Sequence, residues 1–300
     1  MKNEPLVSVV MNCYNGEKYL REAIDSVINQ TYHNWEIIFW DNRSTDKSAK
    51  IFKDYKDDRL KYYYAETHTE VLYKAKNFAL KEARGDYIAF LDTDDWWLPE
   101  KLEKQIPLFN DSEVGLVYGN SWQFFEKKNK KKIYKSGNLP SGSILNELLK
   151  EYVIGSPTYV IRKKSLESLE YYFDDSFHII GDFDMNIRLS TKWKVGCVQF
   201  PVAYIRKHSK NLSLLNREKE IYELKFWVKK MKNNQLISSQ YSFDQVALTA
   251  HYLESMQCIM EKGFKKSLSI VAKYPFSLNK MKLVLALLIP KFLLKKIKNY

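Results

Sequence analysis

Three carboxylates fall within four residues at Asp92, Asp94 and Asp95, just past the apolar run 87–91. An apolar run of this length after Gly85 reads as a buried strand, so the acids collect at its mouth. Crowded carboxylates repel one another and call for a positive partner, and Mg²⁺ or Mn²⁺ takes oxygen ligands of this kind. A metal held by one or two carboxylates keeps open positions that substrate phosphates fill. The competing reading is an acidic turn capping a helix that starts at Pro99. Asp182 stands ahead of Met185, Ile187 and Leu189, which look helical, and reads as an N-cap. His208, in the basic stretch 204–209, reads as a surface imidazole.

An alternating chain has to position these groups. Residues 6–11, 36–40, 60–64 and 87–91 read as strands. Between them Leu20, Ala23, Ile24, Val27 and Ile28 fall on one helix face, a second helix carries Ala49, Phe52 and Tyr55, and a third spans 71–83. Asn15 is placed to cap the first helix, and Ser44 or Thr45 the second. Such spacing predicts an α/β fold whose parallel sheet is covered on both faces, with ligands at the carboxyl ends of the strands. Three polar strand ends coincide there, 12–16, 41–46 and 92–95, which favours the metal-phosphate reading. Farther on, 115–118 and 156–162 read as strands, 143–149 as a helix, and the Lys run 127–132 as the tip of a hairpin. Beyond 215 the chain reads as helices, with Ile221, Leu224, Trp227 and Val228 on one apolar stripe and Val246, Ala247, Ala250 and Leu253 on another.

Composition narrows the function. No Gly-rich phosphate loop of either common type occurs, which argues against a dinucleotide dehydrogenase and a P-loop ATPase. A nucleotide bound without those loops needs other handles, such as Asp41 at the second strand end for a base or ribose. Cys13, Cys197 and Cys258 are far apart, as expected of reduced thiols. No signal-type segment and no apolar run of the ~18 residues needed to span a bilayer is present, so a cytoplasmic location is expected. The net charge of +12 is uneven: residues 261–300 hold ten Lys against one Glu. The Lys clusters lie outside the strand-end motifs and no nucleic-acid motif accompanies them, so no nucleic acid is expected. The apolar, Lys-rich segment 281–298 either docks on its own domain or lies in a membrane interface. A nucleotidyltransferase and a non-catalytic basic nucleic-acid- or membrane-binding protein are the alternative classes.

The motifs at 7–10 with 14–20, 26–31, 41–46 and 84–95, in this order and spacing, resemble the family 2 glycosyltransferases of GT-A fold. The resemblance implies a Rossmann-like, mostly parallel sheet with helices on both faces over 1–215, with 1–105 as the nucleotide-sugar half and 106–215 as the acceptor side. A helical extension over 216–300, basic and amphipathic at its end, follows. The implied function is inverting transfer from a nucleotide sugar, UDP-sugar favoured, to a glycan or lipid-linked acceptor in surface polysaccharide or lipopolysaccharide synthesis. The location it implies is the cytoplasm or, peripherally, the inner face of the cell membrane. By the same resemblance Asp182 is the catalytic base, and Tyr14, Asn15, Glu17, Asp41, Lys76, Asp92, Asp94, Asp95 and Arg206 meet the donor. Asp92, Asp94 and His208 would hold Mn²⁺ or Mg²⁺. The chain departs from the family pattern at Asn42-Arg43, where Asp-Gly is common, at Lys76-Asn77, where Arg-Asn is common, and at Gly181-Asp182, where a Glu-Asp pair stands.

Overall fold

The computed structural model describes residues 4–233 and 240–298. The chain divides into two compact units. One runs to Leu148 and resumes over Tyr152–Lys207, and the other holds Leu149–Glu151 and the chain from His208 onward.

Nine strands of the first unit make one sheet: β1 (Val7–Cys13), β2 (Trp35–Asp41), β3 (Leu60–Tyr64), β4 (Tyr87–Phe90), β5 (Trp96–Trp97), β6 (Val114–Phe125), β7 (Lys130–Ile133), β8 (Val160–Arg162) and β9 (Lys194–Lys207). Their order is β3-β2-β1-β4-β8-β6-β9-β5, with β7 beside β6. The first four pair in parallel, as the alternation predicts, with Val9 beside both Ile37 and Ala89. Past β4 the sheet is mixed: β8 runs antiparallel to β4 and β6, β9 parallel to β6, and β5 antiparallel to β9. The hairpin forms around the Lys run, pairing Trp122 with Ile133 and Phe125 with Lys130, as a connection this short requires. The strand expected over 156–162 shrinks to β8, because Ser156–Thr158 coils into a 3-10 turn around Pro157, which has no N–H for a ladder.

Helices α1 (Leu20–Ile28), α2 (Ser48–Lys53), α3 (Leu72–Lys81), α4 (Lys101–Gln105), α5 (Leu145–Lys150), α6 (Lys163–Glu167) and α7 (Gly181–Ser190) accompany the strands. Leu20, Ala23, Ile24 and Val27 of α1 bury their stripe against Val7, Val9 and Met11 of β1, Ile37 and Phe39 of β2, and Ala89 of β4. Each such side chain contributes roughly 1.5–3 kcal/mol of transfer free energy, so this face fixes where the strands end.

The expected caps do not form. Asn15 stands five residues before α1, in the left-handed region at φ 56°, and α2 begins only at Ser48, behind Lys47. Asn15 is instead used between loops: its Oδ1 accepts from the Thr45 N–H at 2.8 Å, and its own N–H donates to Ser44 Oγ at 3.0 Å. A short amide that tolerates positive φ satisfies two loops at once there.

Entry to β4 is tight. The Gly85 N–H donates to Ser8 Oγ at 2.7 Å, and the Ser8 hydroxyl donates to buried Glu36 at 2.6 Å. A Cβ on Gly85 would lie 2.6 Å from the Ser8 nitrogen and 2.7 Å from the Leu6 carbonyl oxygen, both backbone atoms of this element's neighbours. Gly85→Ala is therefore expected to destabilise by about 1–3 kcal/mol, the usual cost of overpacking. Urea unfolding checks it through a lowered midpoint at unchanged slope.

The second unit is helical: α8 (Leu212–Leu215), α9 (Arg217–Asn233), α10 (Asp244–Glu261), α11 (Phe264–Ala272), α12 (Leu278–Leu288) and α13 (Lys291–Lys298). The stripe Ile221, Leu224, Trp227 and Val228 is buried, with Trp227 edge-on to Phe243. Ile259, Val271, Tyr274, Leu283, Ala286 and Leu294 form a second core. Segment 281–298 is not one helix, because the chain breaks at Ile289-Pro290 between α12 and α13.

Candidate active site

The parallel strands end in loops that are tied to one another. Asp41, at the end of β2, is fully buried; its two oxygens accept from the Ser44 N–H and from the Tyr62 hydroxyl, each at 2.7 Å. Glu17 accepts from the Lys47 N–H at 3.0 Å, and Asp46 accepts from the Glu17 N–H at 2.9 Å. Asn42 clasps Thr69 through both its amide groups. Arg43 sits at φ 68°, the left-handed conformation that favours Gly, so the backbone keeps here the shape for which Asp-Gly is suited. Tyr14 is exposed and lies against the His68 ring at 4.4 Å between centroids. Tyr14, Asn15, Glu17 and Asp41 thus share one rim.

The acidic turn at the mouth of β4 is closed from β9. The Arg206 N–H donates to Asp95 Oδ1 at 2.8 Å, and its guanidinium donates to the Asp94 carbonyl at 2.9 Å and to Glu22. The rings of Tyr19 and Trp96 enclose that guanidinium at 4.3 and 4.5 Å. Arg206 is buried and committed to holding the turn, whereas the sequence places it against the donor. Burial, followed by the charges of Asp94 and Asp92, keeps the Asp95 carboxyl well above the usual carboxylate range. Negative charge is therefore in excess at this strand end. The hard oxygens of Asp92 and Asp94 fit a divalent cation that takes its remaining ligands from a substrate. Among the described residues, no three His, Cys, Asp or Glu side chains gather as a self-sufficient metal site. His208 belongs to the second unit, where its Nδ1 accepts from the Lys210 N–H at 3.2 Å and its own N–H donates to Asn211.

Lys76 of α3 organises the centre. Its ammonium is buried, lies 3.3 Å from Asp92 Oδ1, and is the strongest influence lowering the pKa of Asp182. Asp92 and Asp182, far apart in sequence, are thus brought to one buried cation. Asp182 lies in the first turn of α7, behind Ile180 at the cap position, and is half-buried. Burial raises its pKa above the ordinary carboxylate value, outweighing Lys76 and the hydrogen bonds from Tyr73 and the Phe183 N–H. A helix start alone would lower the basicity of a carboxylate, and burial overrides that here.

Tyr73, one turn before Lys76, was not legible as a site residue. Its hydroxyl is 3.0 Å from both Asp182 Oδ1 and the Ile179 carbonyl oxygen. A Cβ on Gly181 would fall 2.5 Å from the Tyr73 ring, so the aromatic ring claims the space that a larger side chain at 181 would need. A Glu at this position and this Tyr exclude each other. Asn77 holds the approach by exchanging two hydrogen bonds with the Phe173 backbone. Asp184 is different: fully buried and paired with Arg188 at 2.8 Å, it is structural.

Asn12 is a second residue missed. Its amide nitrogen and oxygen are both buried without a hydrogen-bond partner in the protein. Asn12 stands near the end of β1, beside Trp40 of β2. A buried, unpaired amide there is costly and suits a handle for a bound polar group.

Comparison with known proteins identifies the family and the fold. The model of glycosyl transferase family 2 matches residues 8–169. The Escherichia coli UDP-Glc:alpha-D-GlcNAc-diphosphoundecaprenol beta-1,3-glucosyltransferase WfgD is 36% identical over 168 residues, 56% of this chain and 64% of that protein. The chain thus spans just under two thirds of WfgD's length. An uncharacterised glycosyltransferase of Methanocaldococcus jannaschii is 34% identical over 243 residues, 77% of this chain and 82% of the relative. Two solved structures share the fold. S. aureus TarS 1–349 in complex with UDP-GlcNAc superposes with a TM-score of 0.63 at 17% identity, covering 94% of this chain and 79% of that one. The mannosyltransferase PcManGT of Pyrobaculum calidifontis, in complex with GDP-Man and Mn²⁺, gives 0.64 at 15% identity, covering 95% and 79%. With a family match over more than half its residues and a relative above 30% identity spanned over most of its length, the chain belongs to glycosyl transferase family 2.

Proposed function

We propose that the chain moves a sugar, with inversion, from a UDP-sugar to a hydroxyl of a lipid-linked glycan in the synthesis of a surface polysaccharide or lipopolysaccharide. The observation that carries this is the convergence of Asp92 and Asp182 on Lys76 at the carboxyl end of the parallel strands. In this reading one carboxylate serves the donor and the other the acceptor. WfgD, whose name gives UDP-Glc and a diphosphoundecaprenol-linked acceptor, supports this choice of substrates. Meeting such an acceptor places the chain at the inner face of the cell membrane, with 281–298 as the segment in contact.

In this reading Asp182 takes the proton of the acceptor hydroxyl as that oxygen attacks the anomeric carbon from the face opposite the leaving group. The bond to the diphosphate oxygen breaks in the same displacement, so configuration inverts and no covalent sugar-enzyme species forms. Lys76 keeps positive charge beside Asp92 throughout. Asp41 holds loop 42–46 in shape and retains lone pairs for a base N–H. When bound by Asp92 and Asp94, Mn²⁺ or Mg²⁺ supplies charge neutralisation for the departing diphosphate.

Calorimetric titration with UDP, GDP and CMP, with and without Mn²⁺, tests the reading. UDP is expected to bind selectively and to need the metal. Binding of none of the three would overturn it.

Tyr73→Phe gives a pH test. The phenol donates to the Asp182 carboxylate and so favours its charged form, while the ring packs on Gly181. Removing the hydroxyl alone is expected to raise the Asp182 pKa further. The base must be deprotonated to act, so the acid limb of the kcat/KM profile moves to higher pH, with donor affinity unchanged. An unmoved limb would contradict the assignment.

A further inference from the structure

The helices α11 to α13 carry an apolar face that the second unit does not cover. On α12, Leu283 and Ala286 enter the core, whereas Leu278, Met281, Leu285 and Leu288 are more than half exposed. Their spacing of three, four and three residues puts them on one stripe of the helix, with exposed Val284 at its edge. The same helix therefore has two apolar faces, one buried and one facing water. At about 100° per residue, Lys280 and Lys282 stand on the two borders of the exposed stripe, each about 100° from its centre. Neighbouring elements also present exposed apolar side chains. Phe264 and Leu268, one turn apart on α11, are exposed, as are Phe276 in the connection to α12 and Phe292 at the start of α13. Phe276, at 88% exposure, is the most exposed large apolar side chain among the described residues.

Charge decides what such a face fits. From Lys262 to the end of the sequence there are ten Lys and no Asp or Glu. Lys265, Lys266, Lys273, Lys282 and Lys291 are exposed among the apolar groups. A protein partner for an apolar stripe requires no such one-sided charge, whereas an anionic bilayer does. Acyl chains receive the apolar side chains while lysines at the borders reach the phosphates. Length sets the mode of contact. The 11 residues of α12 extend about 16 Å, against roughly 30 Å of hydrocarbon, and no described helix is long and apolar enough to cross.

We infer that the stripe Leu278, Met281, Leu285 and Leu288 of α12, bordered by Lys280 and Lys282, together with exposed Phe264, Leu268, Phe276 and Phe292, docks in the interface of a bilayer rich in anionic lipid. This deepens the membrane contact proposed above and rests on that reading for its use, since it holds the chain where a lipid-linked acceptor lies. The surface itself stands on exposure and charge alone.

Co-sedimentation of the full chain with vesicles tests it, comparing phosphatidylcholine alone with phosphatidylcholine containing phosphatidylglycerol, at low and high salt. Binding is expected only with phosphatidylglycerol and is expected to weaken in salt. Leu285→Glu with Leu288→Glu should abolish it. Lys280→Gln with Lys282→Gln should reduce it by roughly 25-fold, since each Lys near an anionic surface is worth roughly fivefold in partition. The altered positions on the stripe are exposed, so circular dichroism should be unchanged. UDP affinity, measured on the same samples, separates this inference from the catalytic reading: UDP binding without vesicle binding overturns the docking surface alone. Equal partition into both vesicle types, or undiminished binding by the Glu variant, would also overturn it. So would finding that the face instead joins two copies of the chain, seen as a dimer that the Glu variant dissolves.

Discussion

Asp182→Asn is expected to lower transfer by about 10²–10⁴-fold, the range typical of a lost general base, while donor affinity stays close to that of the unaltered protein. Asn keeps the shape of the side chain and can still accept from the Tyr73 hydroxyl and the Phe183 N–H, so α7 should remain in place. What it cannot do is hold a proton taken from an acceptor hydroxyl. The environment makes this a demanding test. Burial lifts the Asp182 pKa, which makes the carboxylate a better base than an exposed Asp, and the Lys76 charge opposes that rise. Rate assays under saturating donor, with UDP titrations alongside, decide it. A variant that turns over within a few-fold of the unaltered protein would remove Asp182 from the chemistry.

Asp94→Ala is the second large effect. Its carboxylate is one of three at the end of β4, and its backbone carbonyl accepts from the Arg206 guanidinium, a bond that truncation to Ala leaves in place. Truncation should therefore leave the turn closed while removing a metal ligand. A metal ion stabilises a departing diphosphate by several kcal/mol, so transfer should fall by roughly 10²–10³-fold and UDP affinity should lose its dependence on Mn²⁺. Removing the negative charge also eases the rise in the Asp95 pKa, though burial, its main cause, remains. Titration of UDP with and without Mn²⁺ checks the first part. Unchanged metal dependence would show that the cation is held elsewhere.

The sequence was most readable where one physical demand dominated. An apolar run ending in three acids has few explanations, and the strands up to β4 follow from alternation alone. The acids, Lys76 and Asp182 stand within the rim and centre that the parallel strand ends create. The far half of the sheet was not readable in the same way. Where β8 lies, between β4 and β6, is decided by pairing between distant segments and leaves no periodic mark on three residues. Polar side chains misled for a related reason. Asn15 and Ser44 have the chemistry of caps, yet the same short groups serve loop-to-loop bonds equally well. The resemblance places Arg206 at the donor, and nothing in the sequence shows that its guanidinium braces the acidic turn. Its aromatic enclosure by Tyr19 and Trp96 exists only in three dimensions. Tyr73 was hidden by its position: an aromatic residue at helical spacing looks like core, and its ring does pack as core while its hydroxyl faces Asp182. The departure at Gly181, which first looked like a loss, is the counterpart of that ring.

The account is tested most directly by incubating the chain with UDP-glucose or UDP-GlcNAc, Mn²⁺ and a polyprenyl-diphosphate-linked monosaccharide, and reading the new linkage by nuclear magnetic resonance. Release of UDP with a product whose anomeric configuration is opposite to that of the donor is the predicted result. A product that keeps the donor's configuration, or no transfer under conditions where UDP binds, would contradict single displacement assisted by Asp182.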